Sequence, residues 1–124
     1  MIDMRRLTEL ERKALFALAN AVGKDDEREQ LMSDLEHCFV EEASPDGSRV
    51  VFHIDGYQRP PYRGQDAFRG KDHFPLEGTV KDSDGTDMDM AIYLDKNNRL
   101  LEFELVKHAV GPIGKPDWLS FGMK

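Results

Sequence analysis

Apolar and polar residues alternate through residues 87–107, and this alternation predicts two antiparallel strands joined at Asn97 and Asn98. A tight turn at these residues places three apolar pairs on one side of the hairpin: Leu94 with Leu101, Ile92 with Phe103, and Met90 with Leu105. The other side carries four polar side chains: Asp89, Tyr93, Glu102 and Glu104. Because a shift of one residue would send every side chain to the opposite face, the pattern predicts this register.

Two amphipathic helices are predicted before the strands, at about residues 8–22 and 26–36. In the first, Thr8 and Glu11 have the spacing of a capping box, and apolar residues follow at helical intervals. The second begins with acidic residues, which the positive end of the helix dipole favours. The short connection between the helices predicts a helical hairpin that packs on one face of a sheet.

Five strands are predicted, at about residues 38–42, 48–55, 76–82, 87–95 and 99–107. Bulged turns at residues 44–47 and 82–85 would pair further apolar and small residues: Val40 with Phe52, Cys38 with Ile54, Val80 with Met88, Gly78 with Met90, and Leu76 with Ile92. The tail, residues 109–124, holds two prolines and three glycines, so no long regular element is expected there. Its large apolar residues, Trp118, Leu119 and Phe121, should pack over a sheet edge or on a neighbouring chain.

These elements predict one α+β domain over residues 1–124, with an N-terminal helical hairpin on one face of an antiparallel sheet of about five strands. The pattern leaves open where the first two strands join the other three. The net charge of −7 argues against nucleic acid as a partner and leaves room for a basic protein. The single cysteine, Cys38, excludes an intramolecular disulfide and indicates a cytoplasmic protein, and no run is long enough to span a membrane.

The segment 56–75 differs from the rest of the chain, because it lacks periodicity and carries four basic but only two acidic residues. Its arginines alternate with aromatic residues, a composition that is typical of recognition loops. We therefore expect partner binding by four of its residues: Arg59, Tyr62, Arg63 and Phe68. Two alternatives remain: its arginines pair with the acidic surface while its aromatic rings pack under the sheet, or the loop binds nucleic acid or a small anion.

Three groups of polar residues have spacings that suggest chemistry. The aspartates at 82, 84, 87 and 89 lack the glycine and glutamate positions of a calcium loop, which favours a solvated turn. His53 and Asp55 share one strand face, so a small hydrolase or metal-dependent enzyme that also uses sheet carboxylates is the alternative function. Cys38 is expected to be a small core residue. No metal site or cofactor is predicted, because the histidines and the cysteine lack ligand spacing.

The chain resembles small bacterial α+β proteins of unknown function, through Leu7, Thr8 and Glu11 at its start and the run from Leu94 to Lys107. Such domains are similar to immunity-type proteins, which neutralise a toxin by binding it, and the resemblance implies a non-catalytic interaction module. The candidate surface combines the acidic sheet face with the 56–75 loop. A homodimer joined through Phe16, the tail or the outer sheet face is a further alternative.

Overall fold

The computed structural model describes residues 4–60, 73–95 and 97–124, without the side chains of residues 73–76. In this part of the chain, two helices precede six antiparallel strands, so the protein is α+β as predicted. The helices are α1 (Glu9–Asn20) and α2 (Asp25–Glu36). The strands are β1 (Cys38–Ala43), β2 (Arg49–Ile54), β3 (His73–Asp82), β4 (Asp87–Leu94), β5 (Leu100–Lys107) and β6 (Pro116–Met123).

The buried core lies on the sheet face where the helices pack. Thr8 accepts a hydrogen bond from the Glu11 N–H and Glu11 accepts one from Thr8, so the predicted capping box starts α1. Leu15 and Leu18 of α1 and Leu35 of α2 belong to the same buried cluster as the apolar strand residues. We call the opposite sheet face the outer face. Alternation along each strand places one set of side chains in the core and the other set on the outer face.

The predicted registers of the core pairs are confirmed for most positions. Val40 pairs with Phe52 and Cys38 with Ile54, and further pairs join Val80 to Met88, Gly78 to Met90, Met90 to Leu105 and Ile92 to Phe103. Ile92 and Phe103 are completely buried. Leu76, predicted to face Ile92, has a side chain outside the described part of the structure.

The structure differs from the prediction in the position of one bulge and in one strand pair. In the β1–β2 hairpin the bulge lies in β1 at Glu41, between the pairs of Val40 and Glu42, and not in the turn itself. In the β4–β5 hairpin the predicted pair of Leu94 with Leu101 is wrong, because Leu94 pairs with Leu100. Asn98 adopts a φ of 61° there, the left-handed conformation that Gly85 provides in the β3–β4 turn with a φ of 86°.

The strand order β1-β2-β5-β4-β3-β6 answers the question that the sequence left open, because β2 joins the meander through β5. The expectation that the tail forms no long regular element is wrong. The tail forms β6, which pairs with β3 and makes the sheet six-stranded. The ring of Trp118 meets that of Phe103 edge-on at 5.5 Å between centroids, and Phe121 packs over Gly78, where a Cβ atom would lie 2.5 Å from its ring. The tail therefore covers the β3 edge, one of the two positions predicted for its aromatic residues.

Candidate functional site

Arg59 holds together two strands of the sheet. Strands β2 and β5 are paired from Arg49–Glu104 to Val51–Glu102. Beyond these pairs, Nη2 of Arg59 donates hydrogen bonds to the carbonyl oxygens of Phe52 on β2 and Leu100 on β5, at 2.9 and 2.8 Å. The guanidinium thus bridges two backbone acceptors across the gap between the strands. For Arg59, which also pairs with Asp95, this agrees with the alternative in which the arginines of the 56–75 loop pair with acidic groups of the protein, whereas Arg63 and Arg69 lie outside the described residues.

Asp95, in the turn between β4 and β5, compensates the charge of Arg59. Its Oδ2 accepts hydrogen bonds from Arg59 Nη1 at 2.8 Å and from the Tyr57 hydroxyl at 2.7 Å. The pKa of Tyr57 is raised, first because burial disfavours the phenolate and then because the hydroxyl donates to Asp95. The turn and the start of the loop are therefore held in one hydrogen-bonded network.

The same network reaches helix α2 through Arg99. The Arg99 guanidinium lies 4.3 Å from the centre of the Tyr57 ring and binds both carboxylate oxygens of Asp34. Asp34 is buried and also accepts the backbone N–H of Leu100. Its charge is thus compensated inside the protein, as a buried carboxylate requires. These contacts fix the orientation of the first residues of the 56–75 loop relative to the sheet.

The outer face of β1, β2 and β5 carries an excess of negative charge. Beside β1, the Arg6 guanidinium lies over the Phe39 ring at 4.7 Å from its centre. In the described structure the charged residues of the strands themselves are four carboxylates and one guanidinium: Glu41, Glu42, Glu102, Glu104 and Arg49. We call this group the acidic half. Arg49 Nε binds Glu102 at 2.7 Å, and this hydrogen bond raises the pKa of Arg49. Glu102 is almost fully buried, and Arg49 is its ion-pair partner.

The outer face of β3 and β4, with the residues beside it, carries charges that are largely paired. We call this group the balanced half: Glu77, Lys81, Asp87, Asp89, His108 and Lys124. Lys124 binds Glu77 at 3.3 Å and Asp89 at 3.2 Å, and Lys81 binds Asp87 at 2.9 Å. The hydrogen bond from His108 and the one from Lys124 lower the pKa of Asp89. Asp89, a predicted binding residue, is therefore already engaged within the protein.

Lys107 and Asp82 form a buried ion pair that fastens the start of the tail. The ammonium of Lys107 donates to Asp82 at 2.8 Å, to Asp84 at 2.7 Å and to the carbonyl oxygen of Pro112 at 3.1 Å. Asp82 also accepts the backbone N–H groups of Gly114 and Lys115. The prediction of a solvated turn is wrong for Asp82, because its side chain is only 1% exposed.

The contacts of Lys107 shift all three titratable groups of this ion-pair cluster. The hydrogen bond from Lys107 holds the pKa of Asp82 well below its usual range and lowers that of Asp84 to about 2. The two carboxylates in turn raise the pKa of Lys107, Asp82 most strongly. All three groups are thus charged at neutral pH, so their ion pairs hold the start of the tail in place under these conditions.

A cavity of about 290 Å³ lies beside the acidic half, against the edge formed by β1 and β2. Its lining comes from these residues: Glu41, Phe52, His53, Ile54, Tyr57, Gln58 and Arg59. The bulge in β1 occurs at Glu41, and bulges redirect side chains relative to a regular strand. His53 therefore faces a concave surface, but its predicted partner Asp55 is not among the lining residues. The cavity brings His53 together with Glu41, which the sequence pattern did not single out.

Three predicted binding residues, Tyr62, Arg63 and Phe68, lie outside the described residues. Tyr93 is partly buried and packs against Leu101 on the outer face. Within the described ranges, no three His, Cys, Asp or Glu side chains are grouped as metal ligands usually are. Cys38 lies in the core as predicted, and burial raises the pKa of its thiol to about 11, which makes the thiol unreactive.

Sequence reasoning missed the two charged networks. Arg59 is separated from Asp95 by 36 positions and Lys107 from Asp82 by 25, so no local spacing rule links them. For the second network the strand register carried a signal. Asp82 ends β3 and Lys107 ends β5, and Met88 of the intervening β4 pairs with both Val80 and Lys107, so the predicted registers place Asp82 and Lys107 at the same end of the sheet.

A family model described as a domain of unknown function (DUF6984) matches residues 4–116. This range covers most of the chain, so the chain belongs to that family. It includes the acidic half and the cavity, and it ends at the first residue of β6. Neither a curated protein nor a solved structure matches the chain. In the described part of the chain, neither helix has the length and apolar character required to cross a bilayer.

Proposed function

We propose that this member of the DUF6984 family is a non-catalytic protein-interaction module whose acidic half binds a basic protein. One observation carries the proposal. Among the described residues, Glu41, Glu42 and Glu104 have no hydrogen-bond or ion-pair partner for their carboxylates, whereas the carboxylates of the balanced half are engaged. Carboxylates without an internal partner keep their charge available for a cation outside the protein.

The electrostatics of the whole chain act in the same direction. A net charge of −7 attracts a basic partner over distances comparable to the Debye length, about 8 Å at physiological salt. The three unpaired carboxylates of the acidic half, Glu41, Glu42 and Glu104, then supply a local target for its positive side chains. Arg49 forms its ion pair with Glu102 and interacts only at longer range with Glu42 and Glu104, so the acidic half keeps an excess of negative charge.

The predicted binding residues take different roles in this proposal. Glu104 is a direct contact, and Tyr93, which lies on the neighbouring strand and packs on Leu101, gives the surface an apolar margin. Glu102 contributes indirectly, because its buried carboxylate binds Arg49 and holds that side chain in position. Asp89 lies in the balanced half and contributes less, since Lys124 and His108 already bind it. The resemblance to immunity-type proteins suggests a toxin that is neutralised by binding as the kind of partner.

Affinity capture with matched variants tests the proposal. The immobilised wild-type chain should retain a basic protein from an extract of the native host, and elution should begin as salt rises. The double variant E41Q/E104Q should lose most of this capture, because it removes two unpaired carboxylates. The control D87N/E77Q removes the same charge from the balanced half and should retain the partner. Equal capture by both double variants, or no basic protein retained by the wild type, would contradict the proposal.

A further inference from the structure

The groups lining the cavity differ in whether they are already engaged. The guanidinium of Arg59 is bound by Asp95, Phe52 and Leu100, and the Tyr57 hydroxyl is bound by Asp95 and Asn97. No described residue binds the side chains of Glu41, His53 or Gln58. The polar groups left for a ligand are therefore a carboxylate, an imidazole and an amide.

These three groups favour a cationic ligand with several hydrogen-bond donors. An ionised carboxylate only accepts hydrogen bonds, and neutral imidazole and amide groups each offer at least one acceptor. The one cation in the lining, Arg59, is neutralised by Asp95. An anionic ligand would meet the Glu41 carboxylate without a free cation among the described lining residues. A planar guanidinium, with five donors in a fixed arrangement, matches this set best.

The volume of the cavity limits the size of the ligand. At about 290 Å³ it lies at the lower end of the range for drug-sized molecules, so it suits one side chain better than a cofactor. Phe52, Ile54 and Tyr57 in the lining supply apolar surface for the methylene groups that precede a guanidinium, although Arg99 already lies over one face of the Tyr57 ring. Arginine is also enriched among the residues that dominate binding energy at protein interfaces.

We infer that this cavity is the anchor site for one arginine side chain of the basic protein partner, with Glu41 as its counter-ion and His53 and Gln58 as additional acceptors. The inference rests on the proposed function and adds a specific contact to it. It also explains why the β1 bulge matters, since the bulge occurs at the residue that provides the charge. The acidic half then attracts the partner, and the cavity fixes its position.

An NMR titration of the whole chain with N-acetyl-L-arginine amide tests the inference. We expect saturable shifts centred on the His53, Tyr57 and Gln58 amides, with a dissociation constant on the order of 1 mM. The uncharged isostere N-acetyl-L-citrulline amide should cause no saturable shift at equal concentration. E41Q should weaken binding of the arginine probe about tenfold, because a charge-assisted hydrogen bond is lost. H53N should weaken it less, and thermal unfolding should confirm that both variants are folded.

D87N is the matched control, since it removes the same charge from an exposed residue of the balanced half, which does not line the cavity. Its affinity for the arginine probe should stay within about twofold of the wild type. Equal weakening by D87N and E41Q, or shifts centred on Glu104, would overturn the inference. Free L-arginine binding at least ten times more tightly than the capped probe would also overturn it, in favour of a small-molecule ligand.

The two proposals fail in distinguishable ways. If E41Q/E104Q loses the captured partner while the arginine probe does not bind the cavity, the interaction module stands and the arginine anchor is wrong. If the probe binds as expected but no basic protein is captured, the proposed function fails, and with it the assignment of the cavity to a protein partner.

Discussion

In the acidic half of the outer face one guanidinium serves four carboxylates, whereas in the balanced half three carboxylates face two lysines and a histidine. Both halves belong to one sheet and share the same pleat. They differ in what lies at their edge. The balanced half borders β6, and Lys124, the residue after this strand, supplies a cation for both Glu77 and Asp89.

Unpaired charge can therefore distinguish a binding surface from the rest of a sheet face. Exposed ion pairs contribute at most about 1 kcal/mol each, so the pairs of the balanced half do little for stability. Their main effect is to neutralise that surface. In the acidic half the unpaired carboxylates repel one another, and a basic partner would relieve this repulsion. Arg59 connects β2 and β5, and the Lys107–Asp82 pair fastens the start of the tail, so the two contacts can be perturbed separately.

Arg59→Met is expected to have the largest effect, because Arg59 bridges β2 and β5, two strands of the acidic half. The change leaves Asp95, 4% exposed, without its cation, and leaves the Phe52 and Leu100 carbonyl groups without their donor. We expect a loss of roughly 3–5 kcal/mol in the free energy of unfolding, measured in urea. Hydrogen exchange should accelerate more in β2 and β5 than in β3 and β4.

Arg12→Met is the control for this substitution. Arg12 pairs with Glu36, but both side chains are about half exposed, at 45% and 52%. The expected loss is within about 1 kcal/mol. If the two variants unfold at the same urea concentration, Arg59 does not hold β2 and β5 together.

Gly78→Ala should disturb the balanced half by moving β6. The new Cβ would lie 2.5 Å from the Phe121 ring, so the ring and its strand must shift. We expect a loss of about 1–3 kcal/mol in the free energy of unfolding, as for other overpacked sites. Gly122→Ala is the matched control, because its Cβ would meet only Thr79 Oγ1 at 3.8 Å. Equal stability of the two variants would show that Phe121 does not pack tightly on β3.

Arg49→Met should destabilise the acidic half by about 1–2 kcal/mol, because it leaves the buried Glu102 carboxylate unpaired. The value is below that for Arg59 because Arg49 is 46% exposed and water partly screens the pair. Adding Glu102→Gln removes the buried charge and should restore part of the stability. Chemical unfolding of the single and double variants checks this, and a double variant less stable than Arg49→Met would contradict it.

The smallest effect is expected from acid on the cluster of Lys107. The pKa of Asp84 is lowered from 3.8 to about 2, and that of Asp82 is also lowered, so protonation favours the unfolded chain. Their contribution is complete above the unfolded value and is lost as the pH falls below about 4, over a range that reaches about 2 for Asp84 and extends lower for Asp82. The urea midpoint of wild type should therefore fall over this range. Asp84→Asn should reduce that fall, and an identical pH profile would contradict the assignment.

Sequence patterns were sufficient to predict both helices, five of the six described strands and most of the core registers. Alternating residues such as Ile92 and Phe103 can bury one face only in one register, and the cap at Thr8 acts within a single turn of helix. Such signals are local, so a reader of the sequence can find them. They also located the acidic strand residues, including Glu102 and Glu104.

The strand order, the formation of β6 and the pairing of the charged side chains depend on the assembled fold. β6 forms because β3 offers it a free edge and the core accepts Trp118 and Phe121, which outweighs the weak strand propensity of a tail rich in glycine and proline. Arg59 bridges strands that meet only after the sheet is assembled. Whether a carboxylate is buried, paired or open depends on such distant neighbours, and alternation within a strand carries no information about them.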